Sequence, residues 1–384
     1  MVSAQAGKDA MAGTCTTLRG EVREFLRQAI ADGTFVPASD AWMSGLDPAF
    51  SQALARRGWV GMTIPVKYGG HGRSPLERFT VTEELLAAGA PVGAHWIADR
   101  QMAPSILRHG TEQQRLTYLP GIAAAERFFA IGMSEPDSGS DLASVRTRAA
   151  ATSDGWVLTG TKIWTTAAHA ATNLMVLART DPTGGDRHEG LSQFLVDLPH
   201  PAITVRPIVT MDGGHHFNEV VFDEAELPAA SLLGQRGGGW AQVTAELGSE
   251  RSGPERLMST VPLLTEWAGR VRAASPADPA ALADLGRLLG RLAILRQQSL
   301  RVARQLAAGD DPATAAALVK DLGTTFEAEV VDVVRRHTPG EPDPYAGGFG
   351  SRLAGAVMAS PAFSLRGGTN EILRTIVARE VTRS

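Results

Sequence analysis

The hydrophobic period of this 384-residue chain changes twice, and that order limits its fold more than any other feature. Residues 1–127 carry apolar side chains at helical spacing. Residues 128–233 carry short apolar runs between turn residues, and the Asp154-Gly155 pair predicts a hairpin. Residues 234–384 return to long amphipathic stretches. Helices and strands that segregate in this way predict an α+β fold rather than alternating βαβ units.

The individual elements follow from caps and breaks. Ser74, followed by a proline and a glutamate, predicts a capped helix start, and Thr111 predicts another after a break at Gly110. Helices are expected over 18–30, 47–57, 74–88, 91–119, 240–272, 280–308, 312–336 and 351–359, and a last one after Thr369. Strands are expected over 156–164, 173–178, 193–198, 203–208 and 219–223.

Composition excludes several classes of protein. The chain has 37 Lys+Arg against 41 Asp+Glu and no basic block, which argues against nucleic acid as the main partner. It has one cysteine, Cys15, and no apolar run of 18 residues, so neither a disulfide framework nor a membrane span is expected. The N-terminus lacks the apolar core of a secretory signal, which favours a cytoplasmic protein. His215 and His216 would face opposite sides of a strand, and no metal site is expected.

Four sequence blocks carry a family resemblance. They read IGMSEPDSGSD at 131–141, TKIWTT at 161–166, MDGG with VVFD between 211 and 223, and GTNEILR at 368–374. In the same order and at matching spacing, they resemble signatures of the acyl-CoA dehydrogenase family. The resemblance implies an N-terminal helical domain (1–127), a central β-barrel-like domain (128–233) and a C-terminal four-helix bundle (234–384).

The resemblance also implies FAD as the cofactor. By the match to the first two blocks, Met133, Ser134, Trp164 and Thr166 are expected to contact the flavin ring. Trp164 would wall one face, while Ser134 and Thr166 would offer donors to the ring edges. The alternative for Trp164 is an aromatic side chain that packs on its strand.

Four further residues match family contacts with the flavin diphosphate or ribityl region. Gly139 and Ser140 correspond to a turn near the diphosphate and the thioester tail, where N–H and hydroxyl donors suit phosphate oxygens. Thr369 and Glu371 correspond to C-terminal contacts. A plain β-turn explains the first pair, and a helix cap explains the second nearly as well.

The family removes a proton alpha to a thioester carbonyl and passes the β hydride to flavin N5, which needs a carboxylate base. Most members place this base directly before the C-terminal "G-T", where this chain has Gly367. A minority place it in an "L-x-x-E-R" stretch on the first C-terminal helix, and LGSER at 247–251 matches that pattern. The resemblance therefore makes Glu250 the base, with Glu246, Glu255 or no carboxylate base as alternatives.

Two other residues are expected to serve the substrate. The Gly367 N–H could still donate to the enolate oxygen, because that role needs only backbone. Arg251 would orient the local network, although a solvent-facing helix arginine is an equal alternative. Together with Ser140, these two complete the expected substrate contacts.

The resemblance implies an acyl-CoA or acyl-carrier-protein thioester as substrate and an electron-transferring flavoprotein as electron acceptor. A homotetramer or homodimer is expected, with a heterotetramer as a further option. The family's "R-x-x-F-G-x-P-I" stretch, which reaches the neighbouring flavin, is missing, and 344–350 only partly matches the later "Q-x-x-G-G-x-G". The missing interface arginine keeps a non-catalytic subunit of a heteromeric dehydrogenase open, and glycine at 367 keeps a flavin monooxygenase of the same fold open.

Overall fold

The computed structural model describes residues 2–182, 185–251, 253–310 and 312–382. Within helices it describes the backbone alone at residues 2–12, 247–250 and 381. Along the described chain, helices come first, an eight-stranded sheet follows, and helices return. This order confirms the predicted α+β fold class.

The N-terminal helices begin largely where the caps predict. Ser74 and Glu77 form a capping box at the start of one helix, and Thr111 and Gln114 form another. The helices are α1 (Val2–Ala31), α2 (Ala41–Ser44), α3 (Pro48–Ala55), α4 (Pro75–Ala87), α5 (Gly93–Ile97), α6 (Ala103–His109) and α7 (Glu112–Ala123).

The strands form one mixed sheet. They are β1 (Phe129–Gly132), β2 (Arg148–Ala151), β3 (Gly155–Lys162), β4 (Asn173–Arg179), β5 (Leu191–Asp197), β6 (Ile203–Ile208), β7 (Phe217–Pro228) and β8 (Leu232–Leu233). Their order is β6-β7-β3-β2-β4-β5-β8, and β1 pairs with β4 in parallel. The predicted hairpin is confirmed, because β2 and β3 pair antiparallel across residues 152–154.

The C-terminal helices are α8 (Gly239–Glu250), α9 (Val261–Ala273), α10 (Pro279–Ala308), α11 (Ala313–Arg336), α12 (Gly348–Phe363) and α13 (Asn370–Val381). The prediction of one helix over 240–272 is wrong. Helix α8 ends at Glu250, and a 3₁₀ turn at Pro254–Arg256 precedes α9. A proline lacks the N–H that continues a helix and disfavours helical backbone at the residue before it, here Gly253.

The chain forms two compact units. One comprises Met1–Gly45, Arg73–Pro91 and Arg251–Ser384, and the other Leu46–Gly72 and Val92–Glu250. The first is a helical bundle in which α4 packs on α1 and α10, and α11 packs on α10, α12 and α13. The second contains the sheet, with a core that includes Leu158, Val176, Phe194 and Val220. The three domain ranges expected from the sequence stay a prediction. Among the described residues, no helix is long and apolar enough to cross a membrane.

Candidate active site

A buried ion pair organises the end of β3 in the sheet unit. Lys162, the last residue of β3, is fully buried, and its Nζ donates to Glu135 Oε1 at 2.8 Å and to the Met133 carbonyl at 2.9 Å. Glu135 also accepts the N–H groups of Arg146 (2.7 Å) and Thr147 (2.8 Å). One carboxylate thus joins the strand to both ends of the segment 135–147.

The electrostatics of this pair follow from burial and hydrogen bonding. Burial lowers the pKa of Lys162 to about 8, although the Glu135 charge opposes the shift. Burial alone would raise the pKa of Glu135, but the charge of Lys162 and the donated hydrogen bonds outweigh it and lower that pKa. Both groups therefore stay charged at neutral pH, and the segment is held rigidly.

The segment after Lys162 carries backbone strain. Trp164 has a φ of 59° and Ala167 a φ of 55°, left-handed values that cost a residue with a Cβ energy. The Trp164 indole is 54% exposed and meets Phe217 edge to face at 5.8 Å. Thr166 between them is half-buried. The strained backbone holds the aromatic surface of Trp164 towards solvent. An aromatic residue that only packs on its strand would not require this exposure.

The first and second sequence blocks lie side by side here. Ile163 N–H donates to the Ser134 carbonyl at 2.9 Å, and Met133 and Ser134 are both half-buried. Downstream, Glu135 and Ser138 exchange backbone hydrogen bonds in a tight turn. The structure thus brings Met133, Ser134, Trp164 and Thr166 to one end of the sheet.

Gly139 and Ser140 follow that tight turn and are exposed. A Cβ built on Gly139 would meet nothing within 4 Å, so packing within the chain does not require glycine there. Ser138 Oγ donates to the Asp141 carbonyl at 2.9 Å and closes the turn around them. The pair is open to a ligand, and its diphosphate contact stays a prediction.

Helix α8 carries the candidate bases. Glu246 is buried and accepts Ser105 Oγ at 2.7 Å and Gln193 Nε2 at 3.0 Å, which joins α8 to α6 and β5. These two hydrogen bonds give Glu246 a structural role. Glu255 is also buried, on the 3₁₀ turn of the helical unit. The backbone of Glu250 closes α8, and its side chain lies outside the described residues.

The Gly367-Gly368 pair lies in the helical unit, between α12 and α13. Gly367 has a φ of 70° and Gly368 a φ of 88°. Arg251 is buried, and its Nε donates to the Gly367 carbonyl at 3.0 Å. A Cβ on Gly368 would lie 2.9 Å from Arg251 Nη2. Arg251 therefore does not face solvent, and its guanidinium binds this turn.

Thr369 caps α13, as the helix-cap alternative for this residue predicts. Its Oγ1 accepts the Ile372 N–H at 3.5 Å. Glu371 is exposed, and hydrogen bonds from its own N–H and from Thr369 lower the pKa of its carboxyl. The flavin contacts expected of both residues stay predictions.

These features fit a flat aromatic cofactor with an anionic tail. The exposed Trp164 indole offers a stacking face, and the half-buried Ser134 and Thr166 carry hydrogen-bonding groups beside it. Among the described residues, no cluster of three or more His, Cys, Asp or Glu side chains could hold a metal ion.

Sequence reasoning missed Lys162 and Glu135 as organising residues, although both lie within the recognised blocks. The available signal was a lysine near the end of an apolar strand, which a half-buried strand rarely tolerates without a partner. The partner itself lies 27 residues away along the chain and follows from no local pattern.

Comparison with known proteins agrees with this geometry. The models for the N-terminal and middle domains of acyl-CoA dehydrogenase match residues 14–126 and 130–225. Two relatives from Mycobacterium tuberculosis, acyl-CoA dehydrogenases FadE29 and IpdE1, are 30% and 34% identical. The first match covers 94% of each chain, and the second covers 87% of this chain and 86% of the relative.

Two solved structures share the fold. "Tcur3481-Tcur3483 steroid ACAD" is 25% identical with a TM-score of 0.86, over 97% of this chain and 98% of that chain. The ChsE4-ChsE5 complex from Mycobacterium tuberculosis is 27% identical with a TM-score of 0.78, over 95% and 96%. This chain belongs to the acyl-CoA dehydrogenase family, whose members are flavin-dependent oxidoreductases.

Proposed function

We propose that this enzyme is an FAD-dependent dehydrogenase that converts an acyl-CoA into its trans-2-enoyl-CoA. The observation that carries the proposal is the convergence of Met133, Ser134, Trp164 and Thr166 at one end of the sheet. The buried Lys162–Glu135 pair holds that convergence in place. The proposal extends the family membership to a specific cofactor, reaction and set of residues.

The residues of the sheet unit would hold FAD. Trp164 would stack on the ring, and Ser134 and Thr166 would bind its edges. Gly139 and Ser140 would meet the diphosphate on the exposed side of their turn, and Thr369 and Glu371 the ribityl or phosphate region. When bound, the flavin would accept the hydride that leaves the β-carbon of the acyl chain.

Glu250 would act as the base. Its carboxylate takes the proton from the α-carbon, and the electron pair of that C–H bond becomes the new C=C bond as the β hydride departs. The placement at the end of α8 supports this role, because the next residue, Arg251, binds the Gly367 carbonyl. The competing Glu246 already accepts two hydrogen bonds from buried donors.

The Gly367–Gly368 turn would stabilise the negative charge that develops on the thioester oxygen. The Gly367 N–H is the proposed donor, and Arg251 fixes the adjoining peptide group through the Gly367 carbonyl. Arg251 and Ser140 would also contact the CoA thioester.

The decisive experiment is anaerobic titration of the purified yellow protein with a panel of acyl-CoA substrates. A substrate should bleach the oxidised flavin absorbance of the wild-type protein, and Glu250→Gln should abolish the bleaching. Glu246→Gln is the matched control, because it removes a carboxylate from the same helix and should retain bleaching. Bleaching by Glu250→Gln at the wild-type rate would show that Glu250 is not the base.

The substrate panel should contain bulky thioesters as well as straight chains. The structural relative with a TM-score of 0.86 is described as a "steroid ACAD", and its sequence is 25% identical. We therefore include a steroid-derived acyl-CoA. The same acyl group on a carrier protein tests the alternative tether.

A flavin monooxygenase of the same fold is the second candidate, because Gly367 stands where most dehydrogenases of this family carry their base. Oxygen consumption that needs NAD(P)H and a flavin reductase, without anaerobic bleaching by any thioester, would favour it. A colourless protein that binds no FAD would instead indicate a non-catalytic subunit.

The proposed partners are an electron-transferring flavoprotein and further subunits. Two structural relatives are described by pairs of chains, Tcur3481-Tcur3483 and ChsE4-ChsE5. We propose a homotetramer or homodimer, and these two relatives support a heterotetramer as the alternative. Light scattering of the protein expressed alone separates these, since a protein that needs a second chain should be monomeric or should lack flavin.

A further inference from the structure

The segment that connects α12 to α13, taken together with the first residue of α13 as residues 364–370, is called the donor turn below. Within the described chain, the N–H groups of Gly367, Gly368 and Thr369 donate no hydrogen bond. All three residues are half-buried, so these N–H groups are not fully exposed to solvent. Three successive unused backbone donors suit a ligand atom that carries negative charge.

One buried lysine ties the two ends of the donor turn together. Lys320 lies on α11, is 0% exposed, and donates from Nζ to three acceptors of this turn. These are the Ser364 carbonyl at 3.1 Å, the Gly368 carbonyl at 2.8 Å and Asn370 Oδ1 at 2.8 Å. An ammonium group has three N–H donors, which matches the three acceptors in number.

These bonds set the direction of the unused N–H groups. In a planar trans peptide, the C=O of one residue and the N–H of the next point in opposite directions. Lys320 binds the Gly368 carbonyl, which directs the Thr369 N–H away from the lysine. Arg251 binds the Gly367 carbonyl, which directs the Gly368 N–H away from the arginine.

A second ion pair anchors the first half of the turn. Arg366 binds Asp40 through two hydrogen bonds of 2.6 and 2.7 Å, and both side chains are largely buried. The Arg366 guanidinium also lies 4.7 Å from the centre of the Trp42 ring. Arg366 directly precedes Gly367, so this anchor restricts the peptide group that carries the Gly367 N–H.

We propose that Lys320 is a positioning residue for the dehydrogenation, because it fixes the donor turn so that its N–H groups stabilise the enolate oxygen of the bound thioester. This inference rests on the proposed function. Lys320 is buried and acts on the donor turn through the peptide groups that it orients. Arg251 fixes the neighbouring peptide group in the same way.

The test measures enolate formation rather than turnover. An acyl-CoA with sulfur in place of the β-carbon can lose its α proton to the base but cannot give up a β hydride. Its enolate, stacked on oxidised flavin, produces a long-wavelength absorbance band. Lys320→Met should form at least about tenfold less enolate at a given pH, because misdirected donors stabilise the oxyanion less. Flavin content and thioester affinity should stay within about twofold of wild type.

Arg352→Met is the matched control. Like Lys320, Arg352 donates to a backbone carbonyl within the helical unit, that of Pro37, and it also pairs with Glu266. Its loss should lower the melting temperature and leave enolate formation unchanged. Hydrogen exchange should quicken in the peptide that covers the donor turn in Lys320→Met and not in Arg352→Met.

The outcomes separate the two proposals. Wild-type enolate formation by Lys320→Met, at any melting temperature, would overturn the positioning role while leaving the dehydrogenase proposal intact. If Lys320→Met does not fold, Lys320→Gln, which keeps a polar side chain, replaces it with the same expectations. Absence of both enolate and bleaching in the wild-type protein would overturn the proposed function and this inference with it.

Discussion

Glu327 is a buried carboxyl group on α11 whose charge state should make stability depend on pH. Burial raises its pKa from 4.5 to about 7, against the opposing effects of Arg366 and of hydrogen bonds from Ser259, and Asp40 adds to the rise. Oε1 accepts the Ser259 N–H at 2.6 Å, and Oε2 is buried without an acceptor or donor contact in the described chain.

The magnitude follows from linkage. Each pKa unit corresponds to about 1.4 kcal/mol, so a rise from 4.5 to about 7 costs the native state about 3 kcal/mol once Glu327 is ionised. Between about pH 4.5 and about pH 7 the native state holds a proton that the unfolded chain has released, so stability falls as pH rises. Above about pH 7 the loss is complete.

Glu327→Gln should remove this dependence. The difference in stability between the variant and wild type should shift in favour of the variant by about 3 kcal/mol from pH 4.5 to pH 8. For 384 residues at about 2.1 cal/mol/K each, this corresponds to about 4 °C in melting temperature. The amide group of the variant changes the free energy of unfolding by the same amount at every pH, so this change does not affect the test.

The assay is thermal melting of both proteins in a pH series at constant ionic strength. Glu341→Gln is the control, because its side chain is 85% exposed and its loss should give a difference that barely changes with pH. A difference between wild type and Glu327→Gln that stays constant within about 1 °C across this range would refute the reasoning.

Three further predictions concern the candidate site. Lys162→Met leaves the Glu135 charge buried without its partner and should cost about 3–5 kcal/mol in urea unfolding, more than the double variant with Glu135→Gln. Gly368→Ala adds a Cβ to a residue with a φ of 88° and brings it within 2.9 Å of Arg251 Nη2. This variant should lower kcat for the acyl-CoA, while its flavin content, read by absorbance, stays near wild type. Trp164→Ala removes the exposed ring and should weaken FAD binding about tenfold or more in equilibrium dialysis. The stability of the apoprotein should change little, because Trp164 is 54% exposed.

The sequence predicts those parts of the fold that depend on local chemistry. The capping boxes at Ser74 and Thr111 and the hairpin before Gly155 each depend on residues within a few positions of one another. The family blocks likewise indicate which segments carry the site. Gly253 shows the limit of such predictions. The helical spacing of apolar residues continues past Gly253, although the backbone at this residue is not helical.

Interactions between distant residues could not be predicted in the same way. Asp40 and Arg366 are 326 residues apart, and Lys320 lies 44 to 50 residues from its acceptors. In the sequence, each reads as an ordinary charged residue on a helix or loop, where most such residues face water. Their burial depends on how α11 packs against α12 and α13, which no single helix pattern specifies.

The two glycines of the donor turn offer a physical reason for the position of the base. At a φ of 70°, a side chain on residue 367 would cost about 1–2 kcal/mol. Glycine at both 367 and 368 therefore allows Arg251 and Lys320 to bind the two carbonyls closely and leaves the N–H groups unused. A turn built in this way supplies donors and no side chain, so under the proposal above the carboxylate would come from another element. The proposed Glu250 fits this requirement, because it directly precedes Arg251, which binds the Gly367 carbonyl.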